Sequence, residues 1–211
     1  MTDHTKLKDF KFNTITKTII DRYLITIGKA YDKDILDFGC GNGHGCALML
    51  SYGAKSVVGV DIDKDTIKEA KEQYVHIFKE KALTFTSDLN SIKDNTADII
   101  TSFECIEHIK LDELKGIINK LKHILKEEGI FLLSIPIERH GRYSQKEHYG
   151  EVSEDLIISY LDTLFGETNW DLHTTIEHTD GKWINTSIIK DCTAVSNCWI
   201  ITARNDKKDI K

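Results

Sequence analysis

With 211 residues and 40% hydrophobic content, the chain can enclose one sizeable core and not two ordinary ones, so residues 1–211 are expected to form a single domain. The formal net charge of -6 argues against broad attraction to nucleic-acid phosphates or anionic membranes, and no apolar run is long enough to span a bilayer. The start of the chain lacks the apolar core of a signal peptide, and the cysteines (Cys40, Cys46, Cys105, Cys192 and Cys198) form no Cys-x-x-Cys pair, which together predict a cytoplasmic protein with reduced thiols.

A helix is predicted first, from about Thr14 to Lys29, where Ile15, Ile19, Ile20, Tyr23, Leu24 and Ile27 recur at helical spacing within an N-terminal segment 1–30. A strand near 34–39 follows and opens into Asp37-Phe38-Gly39-Cys40-Gly41-Asn42-Gly43, then a helix near 43–53. The next strand, near 56–61, runs through Val57-Val58-Gly59-Val60 and ends in a second acid, Asp61. Further strands are predicted near 82–87, 97–103 and 129–135, with helices near 64–80 and 110–127. Asp65 is read as the cap of the first of these helices. The second is well marked, with Leu111, Leu114, Ile117, Ile118, Leu121 and Ile124 on one face and Gly129 as its stop. Beyond residue 136 lie an amphipathic segment from Ser153 to Leu164, strand candidates at Asp171 to Glu177 and Asn197 to Thr202, and between them a turn at Asp180 to Thr186. This alternation predicts an α/β fold, a parallel sheet with helices on both faces.

The glycine loop after the first strand is not a dinucleotide fingerprint. In the spacing Gly-x-Gly-x-x-Gly the third glycine would fall on His44 or on Cys46, and neither register fits. Glycines stand instead at 39, 41, 43 and 45, with Asp37 two residues before the first. An acid there would repel a pyrophosphate, but would suit the ammonium of an amino-acid-like ligand, paired directly or through water. The pattern resembles motif I of the class I S-adenosylmethionine (SAM)-dependent methyltransferases, and Val-Val-Gly-Val-Asp61 resembles their second motif. The resemblance implies a Rossmann-like, seven-stranded, mostly parallel sheet whose last strand inserts antiparallel beside the fifth. It assigns residues 31–136 to a SAM-binding core and 137–204 to an acceptor-side loop, a helix and the last strands.

For the cofactor, the resemblance implies that Gly39, Cys40, Gly41, Asn42 and Gly43 form the loop under SAM and that Asp61 accepts from both ribose hydroxyls. Ile62 would pack on the adenine face, and Asp88, next to Leu89, would accept from the adenine amino group. Phe103 and Glu104 would close the pocket near the transferred methyl. The segment Glu104-Cys105-Ile106-Glu107-His108 resembles the Glu-x-x-Glu-His motif of ubiquinone-type O-methyltransferases, and also that of the metal-dependent methyltransferases acting on the 3′-terminal 2′-hydroxyl of small RNAs. In the first use His108 is the general base and Glu107 orients its ring. In the second, Glu104, Glu107 and His108 would hold a divalent metal ion. The loop after Pro136 is rich in polar and ring side chains, and Arg139, His140, Arg142, Tyr143 and His148 are its candidates for binding the acceptor. The expected activity is transfer of a methyl group from SAM to an oxygen or nitrogen of a small polar metabolite, leaving S-adenosylhomocysteine (SAH). Nucleic acid and membrane are not expected partners. The alternatives are the RNA methyltransferase and a non-catalytic SAM-binding subunit.

Overall fold

In the computed structural model, residues 14–78, 82–136, 154–166, 170–177, 183–185 and 196–205 are described. The predicted alternation becomes α1 (Thr14–Ala30), β1 (Asp34–Phe38), α2 (His44–Ser51), β2 (Ser56–Val60), α3 (Lys64–Tyr74), β3 (Leu83–Thr86) and β4 (Ala97–Phe103). There follow α4 (Leu111–Ile124), β5 (Leu125–Pro136), α5 (Glu154–Phe165), β6 (Trp170–Glu177), β7 (Trp183–Asn185) and β8 (Ser196–Arg204). No helix among the described residues is long and apolar enough to cross a membrane.

One sheet unites the strands in the order β3-β2-β1-β4-β5-β8-β6-β7. The first five are parallel, and β8 runs antiparallel between β5 and β6. The sheet is therefore Rossmann-like and mostly parallel in its first half, as expected. It carries one strand more than the expected seven, because Trp183–Asn185, read from the sequence as part of a turn, pairs with Thr175–Glu177. A short run containing Trp and Ile suits a pleated edge once β6 offers free backbone groups to pair with.

The chain leaves β1 to one side to form β2 and β3, then returns to the other side as β4. That reversal opens a crevice at the carboxyl ends of β1 and β4, where open α/β sheets bind ligands. Alternation along each strand feeds two cores. Ile35, Ile99 and Leu132 face the side covered by α1, α2 and α3, whereas Leu36, Ile100, Phe131 and Leu133 face α4 and α5.

Two local expectations are corrected. The cap of α3 is Asp63, whose Oδ1 accepts from the backbone N–H groups of Asp65 (2.8 Å) and Thr66 (3.2 Å), so Asp65 lies inside the helix rather than before it. Helix α4 ends at Ile124 rather than near 127. Buried Asn205 donates through its side-chain amide to the carbonyls of Leu125 (3.2 Å) and Lys126 (3.1 Å), and its backbone pairs with Glu128 and Gly129. The chain turns there through a left-handed Glu128, at φ 60°. A residue distant in sequence thus ends the helix before its local stop signal is reached.

Candidate functional site

The glycine loop hangs from the end of β2, with the N–H groups of Gly39 and Cys40 donating to the carbonyl of Val60 at 2.8 and 3.0 Å. Gly39, Gly41 and Gly43 take positive φ values of 77°, 52° and 83°, a region that a Cβ disfavours. Space requires two of them as well. A Cβ on Gly39 would lie 2.4 Å from Cys105 Sγ, and one on Gly43 2.7 Å from the Phe85 ring. Gly41 borders open space instead, and its N–H donates to Asp61 Oδ2 at 2.9 Å.

Asp61 thereby ties the loop to β2. Its other oxygen accepts from the N–H of Asp63 at 3.0 Å. An ionised carboxylate offers about four acceptor positions, so roughly two stay open to hydroxyl donors. Next to it Ile62 is 91% exposed, an apolar side chain that the protein itself does not cover. Asp88, also exposed, accepts from the N–H of Asn90 (2.9 Å) and starts the short 3-10 turn Leu89–Ser91. Asn42 is exposed at the tip of the loop.

Asp37 is placed differently, being fully enclosed. Thr101 Oγ1 donates to its Oδ1 at 2.7 Å, while the Tyr23 hydroxyl (3.0 Å) and Cys46 Sγ (3.3 Å) donate to Oδ2. Burial raises its pKa and outweighs the lowering effect of those three hydrogen bonds. Its partners occupy the positions that a ligand ammonium would need for direct contact, so it ties α1, α2 and β4 together instead. Burial, with the Asp37 charge beside it, likewise pushes the Tyr23 phenol well up. The Tyr23 ring meets Phe103 edge-on at 5.0 Å and fills the volume that a Cβ on Gly45 would enter.

At the end of β4, Glu104 adopts a left-handed backbone with φ 51°, unusual for a residue with a side chain. Its N–H donates to the carbonyl and the hydroxyl of Ser134, both at 3.2 Å, and its Oε1 accepts from Ser134 Oγ at 2.8 Å. The guanidinium of buried Arg22, from α1, lies 3.3 Å from the same oxygen. In the 3-10 turn Ile106–His108 that follows, Glu107 is only 3% exposed. Burial, and then the neighbouring Glu104 charge, push its carboxyl up to about 8 against the opposing charge of Arg22. Its Oε2 is buried and accepts no hydrogen bond. His108, one residue on, is exposed.

The expected pairing, with Glu107 orienting the His108 ring, is thus not what the turn presents. Consecutive residues diverge, one inward and one outward. For the same reason Glu104, Glu107 and His108 do not converge as metal ligands, and no group of three or more His, Cys, Asp or Glu side chains suited to a metal occurs among the described residues. Arg139, His140, Arg142, Tyr143 and His148 lie outside the described residues. Two residues that sequence reasoning missed are Arg22 and Tyr23. The only signal for Arg22 is a charge set among the apolar residues Ile19, Ile20 and Tyr23 of α1.

Comparisons with known proteins agree with this architecture. The protein named "Probable S-adenosylmethionine-dependent methyltransferase" of Mycolicibacterium smegmatis is 28% identical over 104 residues, which make up 49% of this chain and 38% of that protein. A ribosomal protein L11 methyltransferase of Lachnospira eligens is 24% identical over 167 residues, 78% of this chain and 48% of its own length. The chain thus spans less than half the length of these curated relatives. A solved SAM-dependent methyltransferase of Archaeoglobus fulgidus shares the fold with a TM-score of 0.66 at 18% identity, covering 90% of this chain and 93% of that one. A methyltransferase-domain family model matches residues 13–177, well over half of the chain. The chain belongs to that family, the class I SAM-dependent methyltransferases.

Proposed function

We propose that the protein transfers the methyl group of SAM to an oxygen or nitrogen of a small polar acceptor. The observation that carries this reading is the Gly41–Asp61 tie at the carboxyl edge, a carboxylate held by backbone donors with acceptor capacity left over and an uncovered Ile62 beside it. Ribose hydroxyls match the first and an adenine face the second. Gly39, Cys40, Gly41, Asn42 and Gly43 bring the backbone close to the ligand, and Asp37 ties together α1, α2 and β4, the elements around that loop. Asp88 and Leu89 border the adenine end, and Phe103 and Glu104 the methyl end.

SAM supplies an activated methyl group. The protein's own part is to align the acceptor with it, exclude water and take up a proton when the acceptor is a hydroxyl or an ammonium. The Glu107–His108 turn carries that proton, with Glu107 on the inner side and His108 toward solvent. The loop bearing Arg139, His140, Arg142, Tyr143 and His148 is assigned to acceptor binding.

The test is release of SAH from SAM by the purified protein, measured with separated fractions of a cell extract. Stimulation by the low-molecular-weight fraction is expected. Stimulation by the macromolecular fraction alone would contradict the small acceptor, and absence of SAM binding would contradict the whole reading.

A further inference from the structure

We propose that Oε2 of Glu107, and not the His108 ring, takes the proton from the acceptor's nucleophile during methyl transfer. The inference rests on the methyltransferase reading and goes beyond it by naming one atom as the base. It departs from what the Glu-x-x-Glu-His resemblance implies, in which the histidine is the base and the glutamate orients it.

The direction of the turn comes first. Within Ile106–His108, His108 is exposed while Glu107 is only 3% exposed. Methyl transfer shelters the nucleophile from water, so the base has to stand on the inner side. The state of that inner atom comes next. Oε2 of Glu107 is buried and has no hydrogen-bond partner, which costs on the order of 1–3 kcal/mol and calls for a functional reason. When the carboxyl is neutral the free oxygen lacks an acceptor, and when it is ionised it lacks a donor. A hydroxyl or a neutral amine meets both needs, because each carries a proton and a lone pair. The location agrees. Cys105, two residues before Glu107, packs its sulfur against Gly39, so the turn adjoins the loop assigned to SAM. Glu104 beside it has a side chain 29% exposed, and the acceptor approaches from that side.

Among the described residues, the titratable and charged groups facing Glu107 are Glu104 and Cys105 from its own turn and Arg22 from α1. Arg22 stays charged, and burial pushes the Cys105 thiol up to about 12, so neither changes state near neutral pH. Glu107 itself, raised to about 8, is a stronger base than an ordinary glutamate and is still partly ionised there. In the step, the ionised carboxylate takes the O–H or N–H proton as the nucleophile's lone pair forms the bond to the methyl carbon. The C–S bond breaks and its electron pair goes to sulfur. SAH and the methylated acceptor result, and the proton leaves Glu107 for solvent past His108.

The experiment compares SAH with sinefungin, the SAM analogue in which a carbon bearing an ammonium replaces the methylated sulfonium, by calorimetric titration of the full chain at about pH 6.5 and about pH 8.5. The two ligands share their amino-acid, ribose and adenine groups, which cancel in the ratio of affinities. The extra ammonium stands in for the methyl group and pairs with Glu107 once that carboxyl is ionised. The preference for sinefungin is expected to grow at least about fivefold from the lower pH to the higher, to stay flat in Glu107→Gln, and to grow as in the wild type in His108→Gln. In the wild type, carboxyl carbon-13 NMR should show the Glu107 pKa lowered by sinefungin and not by SAH, a reading that needs no folded variant. A preference that ignores pH in the wild type, growth retained in a folded Glu107→Gln protein, or growth lost in His108→Gln would overturn the inference, while binding of SAH would leave the SAM reading intact. If neither ligand binds, the SAM reading fails and the assignment of Glu107 fails with it.

Discussion

Asp34 and Asp37 lie three residues apart on β1, at opposite ends of the strand, and their surroundings treat them in opposite ways. At the amino end Asp34 accepts from Ser56 Oγ (2.7 Å), Lys126 Nζ (3.0 Å) and Lys55 Nζ (3.2 Å), and Lys126 also reaches Asp98 at 3.1 Å. Partial burial works against its charge, but those donors prevail and hold its pKa at about 2. At the carboxyl end Asp37 has neutral donors only, and desolvation prevails. Glu107, on the same edge, lies at about 8. One edge of the sheet is electrostatically complete in the protein alone. The other encloses Asp37 and Glu107 at an energetic disadvantage, and of the two only Glu107 keeps a buried oxygen without a donor.

The largest expected test of that contrast is the pH dependence of stability. Glu107 titrates near its ordinary 4.5 in the unfolded chain and at about 8 in the fold, so between those values the folded state binds the extra proton. Stability therefore falls as pH rises through that window, by on the order of a few kcal/mol for this group. Thermal melts of the wild type against Glu107→Gln should show that slope reduced in the variant, and parallel profiles would break the comparison.

Next comes a pair of glycine substitutions. Gly39→Ala puts a Cβ into a left-handed residue and against Cys105, and should cost roughly 3 kcal/mol together with SAM affinity. Gly53→Ala, at the amino edge with φ 94°, meets only the Tyr31 ring, which is 78% exposed and can swing away. Its cost should be nearer about 1 kcal/mol, with SAM binding unchanged. Denaturant unfolding and calorimetry read both.

The smallest effect belongs to Asp34→Asn. Its pKa is depressed, so the stability it contributes is present above about 3.8 and is lost as pH falls toward about 2. At neutral pH the variant should lose about 1 kcal/mol, discounted for a side chain in partial contact with water, and below pH 2 it should match the wild type.

The sequence carried much of the carboxyl edge, because glycines that must turn and an acid that must end a strand leave marks at fixed spacing. Asp61 and the glycine loop were legible in that way, and the succession of strands through β5 was legible in the alternation of segments. The roles of Arg22 and Tyr23 were not, since helical periodicity says which face is buried but not that a phenol on that face reaches Asp37 across 14 positions. Nor could Glu107 and His108 be told apart by spacing. Adjacent residues read as a pair until a 3-10 turn sends one inward and the other out. The end of α4 was misread because its determinant, Asn205, stands 80 positions from Leu125.

The central claim, that this edge of the sheet is completed by SAM through Asp61, is tested most directly by calorimetric titration of SAM into the wild type and into Asp61→Ala. One site per chain is expected, with affinity falling at least about tenfold in the variant, as loss of charge-assisted hydrogen bonds to hydroxyls requires. Equal affinity in the two proteins, or no binding to the wild type, would contradict it.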